Sequence, residues 1–205
     1  MRSGRAAVLL LLAALLAGCS TDTAAPPGSA ATTPTPTGTP QEQALAWTSS
    51  VCDALVPLTA VLTAPPGFDV NAPAATREAY TAYLNQALVA TDRAREALAA
   101  TGPAPVAGGD AIAEQVLGDV ADLRADLVDA RNQIDTLNPN DPIALGRTLI
   151  GVSRLVSALL SGSNVVRTLN RTPELSFAYS QSPSCAQLER GGAPLTPTPA
   201  PTPTR

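Results

Sequence analysis

The chain of 205 residues contains no histidine and no lysine, so all thirteen of its basic residues are arginine. Lack of histidine removes the usual base of a serine or cysteine nucleophile and the imidazole ligand of most catalytic zinc sites. Lack of lysine removes a Ser–Lys dyad and the GxxxxGK[ST] phosphate loop, and neither a GxGxxG turn nor an Asp-rich calcium loop is present. Aromatic residues make up only 3% of the chain, although 45% of it is hydrophobic. A core drawn from Ala, Leu and Val suits helices packed closely on small residues better than a sheet, which draws on β-branched and aromatic side chains. The net charge of −4 repels phosphate backbones and argues against nucleic acid as a partner.

The twenty prolines are unevenly placed. Half of them fall in residues 26–40 and 194–203, where little else is apolar, and those segments read as disordered Thr/Pro-rich tails. Upstream of the first tail, Met1 to Arg5 carries two arginines and Ala6 to Leu16 is an unbroken apolar run. The run is too short to span a bilayer comfortably and has the form of a secretory leader. It ends in Leu16-Ala17-Gly18-Cys19. This stretch resembles the lipobox of bacterial lipoproteins, and an ordinary secretory leader with a chance cysteine is the plainer alternative. The resemblance implies cleavage before Cys19, a diacylglyceryl thioether on its sulfur, and palmitate-type acyl chains anchoring the protein to the outer face of the cytoplasmic membrane. Residues 1–18 are then signal peptide, 19–40 a lipidated tether, 41–190 the folded domain and 191–205 a second tail. No hydrophobic segment after residue 19 reads as long and uninterrupted enough to be a transmembrane helix.

With Cys19 assigned to lipid, Cys52 and Cys185 remain. In an oxidising compartment an even pair reads as a disulfide, here tying the two ends of the domain together. The competing role, Cys52 as a nucleophile, lacks a histidine base.

The middle of the chain predicts four amphipathic helices. Residues 41–63 place Leu45, Thr48, Cys52, Leu55 and Leu62 on one stripe, with Pro57 expected to kink the helix. Residues 74–100 repeat Tyr80, Leu84, Ala87, Thr91, Ala94 and Leu98 at spacings of four and three. From Asp110, read as an N-cap, a seam runs through Ile112, Val116, Val120, Leu123, Leu127, Ala130, Ile134 and Leu137. Asp141 and Pro142 open a fourth helix to about residue 170, which Gly162-Ser163-Asn164 can bend or break. Ser182-Pro183 opens a brief turn carrying Cys185. Short connections point to an all-α fold, an antiparallel up-and-down four-helix bundle between disordered tails. Together, the lipobox, tether, Ala-rich helices and terminal Cys pair resemble small helical actinobacterial lipoproteins of unknown function.

One polar constellation stands out. Asp119, Asp122, Asp126 and Asp129 share a helical stripe and form a candidate acidic docking strip or cation site. The alternative is a solvated face, with Asp126 set opposite Arg154 and Asp129 near Arg147 or Gly151 across an antiparallel hairpin. No catalytic residue, metal ligand set or cofactor is expected. The leading function is a non-enzymatic envelope module whose partners are the membrane, through Cys19, and an envelope protein or wall polymer. A carrier of a lipid or small apolar molecule is the alternative, against which Ala-rich seams predict close packing with little room. An enzyme using carboxylates alone needs two acids converging in a cleft.

Overall fold

Thr39 fixes where the first helix begins. Its hydroxyl accepts from the Glu42 backbone N–H at 3.3 Å, while the Glu42 carboxylate accepts from the Thr39 N–H at 2.7 Å, a complete capping box. The computed structural model describes residues 38–138, 141–161 and 164–193, which form seven helices and no strand. Cys19 and the Thr/Pro tails lie outside the described residues, apart from the segments next to the domain.

Three long helices carry most of the core. Helix α1, Pro40–Leu62, buries Trp47, Val51, Cys52, Leu55, Leu58 and Leu62. It runs through Pro57 without a break in helical assignment, the exposed ring standing on the outer side. Helix α2, Pro73–Thr101, buries the stripe from Tyr80 to Leu98, and α3, Gly109–Asp135, buries Val116, Val120, Leu127, Ala130 and Ile134. Each packs on the next in antiparallel fashion. Trp47 near the start of α1 donates to the Gly102 carbonyl just past the end of α2 at 3.0 Å. Tyr83 of α2 donates to the Leu62 carbonyl at the end of α1 at 2.9 Å. Thr81 reaches Asp135 and Arg124 pairs with Asp92, which marks the antiparallel register of α2 against α3.

The N-terminus of α3 differs from expectation. Its cap is Gly108, in the left-handed region at φ 72°, and Asp110 sits inside the first turn, where its charge still complements the helix dipole. Asp141 does cap the next helix, its carboxylate accepting from the Ile143 and Ala144 N–H groups at 3.1 and 2.9 Å.

Within the span of the expected fourth helix lie α4, Pro142–Ser161, and α5, Asn164–Arg171, while residues 162 and 163 lie outside the described residues. Two more follow where only a turn was expected: α6, Pro173–Gln181, and α7, Pro183–Glu189. Helix α4 packs on α3 and α2, α5 on α3 and α6, while α6 and α7 both pack on α1. The last helix and the residues after it run parallel to α1. Ser49 donates to Ser182, Cys52 is bonded to Cys185 with a Cα–Cα distance of 5.0 Å, and Thr63 donates to the Gly191 carbonyl. Gly192 ends this contact at φ 79°, so close to α1 that a Cβ would stand 2.8 Å from the Val56 carbonyl oxygen. Only glycine fits there without displacing the strap.

By length and composition alone α1 is apolar enough to cross a membrane, which revises the sequence-based reading. That criterion is equally met by a core helix, and α1 buries a continuous stripe against α2, α6 and α7.

Candidate functional site

The loop between α1 and α2 is pinned at one end. The Thr76 hydroxyl accepts from the Asp69 N–H and donates to the Asp69 carbonyl, both at 3.2 Å, while the Asp69 carboxylate accepts from the Asn71 N–H. This holds Phe68 over α4, where its ring edge stands 3.8 Å from the place a Cβ would occupy on Gly146. A larger residue at 146 would push the ring away.

Beneath Phe68 lies a cleft of about 490 Å³ with Tyr80 and Leu149 in its floor and Ile150, Ser153 and Arg154 along its α4 side. It adjoins a smaller space of about 230 Å³ running under the end of α1, lined by Leu62, Tyr83, Val152 and Val156. Tyr80 and Ser153 border both, so the two form one trough. Two apolar side chains that line it are left in solvent, Phe68 at 44% and Ile150 at 54% exposed, and Ile143, one heptad before Ile150 on α4, is 67% exposed. A second groove, about 660 Å³, runs between α1 and α2 past Pro57 and Val89 and carries Asp53, Asn85 and Arg93. The cleft of about 490 Å³ and the groove of about 660 Å³ fall in the small-molecule range of roughly 300–1,000 Å³. The Ala-rich seams therefore do not close every interhelical space.

The phenols near the trough are held in their neutral form. Burial pushes Tyr83 up to about 12, helped by neighbouring Tyr80, and burial also raises Tyr80. Tyr179, on α6, is likewise pushed up to about 12, first by burial and then by Glu189 beside it. In the unfolded chain tyrosine ionises near about 10. A raised phenol stabilises the fold fully below pH 10, and that contribution is lost as pH climbs from 10 through about 12. The expected result is that Tyr83 and Tyr179 stay protonated at pH 11 in the folded chain, while the denatured chain is largely ionised. Absorbance at 295 nm during titration reads this directly, and three phenols ionising together near pH 10 in the folded state would contradict it.

The acidic stripe is placed on α3 as the spacing requires, but it gathers nothing. Asp122, Asp126 and Asp129 are exposed; Asp119 is half-buried and accepts from Gln115 at 2.8 Å. The ion pairs among the described residues are Arg124 with Asp92 and Arg131 with Asp135. Among the described residues Asp126 makes no ion pair with Arg154, nor Asp129 with Arg147. No group of three Asp, Glu or Cys side chains suited to a metal converges among the described residues. Of the expected site residues, Cys52 and Cys185 are brought together, fully buried, and Cys19 lies outside the described residues. Missing from the sequence reading was the trough itself. Its signal was the pair Ile143 and Ile150, apolar residues one heptad apart and off the buried stripe of α4.

Comparison with protein-family models, with curated proteins and with solved structures returns no match.

Proposed function

We propose that this chain is a membrane-anchored extracytoplasmic lipoprotein, held by lipid on Cys19 to the outer face of the cytoplasmic membrane. Its helical domain acts as a non-enzymatic module that engages an envelope protein or wall polymer. The observation that carries this reading is the sequence order: a charged start, an apolar run and Leu16-Ala17-Gly18-Cys19, then a Pro/Thr stretch that stops where the Thr39 capping box begins. The Cys52–Cys185 bond supports the same compartment, because such bonds persist in oxidising surroundings. A tether of residues 20–40 gives a reach of some 60 Å when extended, at about 3 Å per residue. The fold reading that goes with it is an up-and-down antiparallel bundle with α4 and α5 sharing the fourth position and α6 and α7 strapped along α1. The antiparallel contacts of α1, α2 and α3 support it.

The anchor is tested on the mature protein from its own membrane. Mass spectrometry of the amino-terminal peptide is expected to begin at Cys19 with an added diacylglyceryl group, and labelled palmitate is expected to be lost in Cys19→Ala. An unmodified amino terminus at any other residue would remove the anchor and leave a secreted domain.

A second reading, a carrier for a lipid or small apolar molecule, is favoured by one observation. The trough under Phe68 is apolar, lies between helices and has an open mouth.

A further inference from the structure

Helix α4 runs against the net charge of the chain. The protein carries a net charge of −4, yet residues 142–161 hold two arginines, Arg147 and Arg154, and no acid. Both side chains are exposed and neither makes an ion pair among the described residues. Arg147 and Arg154 lie seven residues apart, as do the exposed Ile143 and Ile150, so isoleucine and arginine alternate along one face at Ile143, Arg147, Ile150 and Arg154. Arg154 and Ile150 also line the trough.

We propose that the trough beneath Phe68 binds a long-chain amphiphile with an anionic head, its acyl chain lying along Tyr80 and Leu149 and its head set against Arg154. The proposal rests on the carrier reading and gives it a ligand class and a site. The geometry matches that class at each end. The floor is apolar and continues under the end of α1, which suits a chain rather than a compact ring. Each methylene taken out of water there contributes about 0.8 kcal/mol, so a partly inserted chain binds usefully without a polar contact. At the rim, a guanidinium with no ion pair among the described residues offers a planar fork to a carboxylate or phosphate. The nearest acid in the covering loop, Asp69, already accepts from the Asn71 N–H. The α1–α2 groove is a poorer fit, because Asp53 lines it together with Arg93 and leaves no net positive charge for an anionic head.

Gly146 supplies a variant that fills the trough while leaving the fold intact. Gly146→Leu places a side chain where Phe68 now lies and raises helix propensity, by up to about 1 kcal/mol. Arg154→Glu reverses the rim charge at an exposed position, and Arg95→Glu, on an exposed part of α2, is the matching control.

The experiment uses the full chain in neutral phosphatidylcholine nanodiscs, exposed to photoreactive palmitate or photoreactive phosphatidylglycerol and mapped by peptide mass spectrometry. Labelling is expected on peptides covering residues 64–72 and 143–157. It should fall about tenfold in Arg154→Glu, the loss expected when a charge-assisted hydrogen bond is removed. Gly146→Leu should lose it too, while Arg95→Glu is unchanged. Labelling by palmitate that unlabelled palmitate displaces identifies a free fatty acid as the source, and labelling by phosphatidylglycerol alone identifies a membrane lipid; both support the proposal. Labelling confined to residues 53–61 and 85–97 overturns this site but leaves the carrier reading standing. An absence of displaceable labelling overturns both. Equal labelling by a neutral photoreactive monoacylglycerol overturns the role given to Arg154.

Discussion

Replacing Cys52 and Cys185 together by alanine is expected to lower the unfolding free energy by about 3 kcal/mol, within the 2–4 kcal/mol usual for such bonds. The bond closes a sequence separation of 133 residues. A pure chain-entropy estimate for that loop gives about 5 kcal/mol, and native contacts that survive reduction bring the measured figure down. They include the packing of α6 and α7 on α1. Helix α7 has only seven residues, too short to persist by propensity, and beyond the disulfide it is held by the Ser49–Ser182 and Thr63–Gly191 hydrogen bonds and by Gly192 on α1. A loss of this size corresponds to a fall in Tm of roughly 10 °C for a domain of about 150 residues. Circular dichroism melts of the oxidised chain, the double variant and the chemically reduced chain check it, with hydrogen exchange expected to rise first in residues 183–193. Melts that coincide within 2 °C, as an order-of-magnitude threshold set by that scaling, would show that α7 is held by packing alone.

The three long helices were legible because each combines a buried stripe with a stop signal. Pro65-Pro66, Gly102-Pro103 and Asn138-Pro139 bracket seams most of whose expected positions are buried, Leu45, Ile112, Leu123 and Leu137 being half-buried against the core. The same reasoning missed α6 and α7 for a physical reason. Over seven to nine residues a helix shows only two turns of its period, and α6 buries Leu175, Ala178 and Tyr179 while leaving Phe177 exposed. Thr172-Pro173 and Ser182-Pro183 were the usable signals, each a small hydroxyl residue at the N-cap with proline at the first helical position. The expected Asp–Arg pairs do not form among the described residues: surface ion pairs are worth at most about 1 kcal/mol, too little to set how α4 lies on α3. The apolar contacts of Leu145, Leu149, Val152 and Val156 decide that instead, and they leave Arg154 beside the trough.

The turn joining α2 to α3 leads to the second large effect. Gly109→Ala is expected to destabilise the fold by about 3 kcal/mol, combining overpacking with lost hydrogen bonds. A Cβ on Gly109 would stand 1.8 Å from the Ala104 carbonyl oxygen and 2.8 Å from its carbon, so backbone must move. The movement opens a turn closed by bonds from the Ala104 N–H to the Gly109 carbonyl, from Val106 to Ala104 and from Gly109 to Val106. It also lifts buried Ala104 out of the core. Trp47, the only tryptophan, reports on this corner because its indole N–H donates to Gly102 at the start of the same turn. Its emission is expected to shift to the red in Gly109→Ala as that bond loosens and water enters. Gly151→Ala provides the opposite sign: nothing lies within 4 Å of its added Cβ, it is exposed within α4, and alanine there should stabilise by up to about 1 kcal/mol with no change in emission. If the two alanine variants shift stability equally, helix propensity governs both sites and the close approach of Ala104 has no energetic weight. Opposite signs would show that the turn, more than the helices it joins, sets the register of the α2–α3 hairpin and the position of α1 upon it.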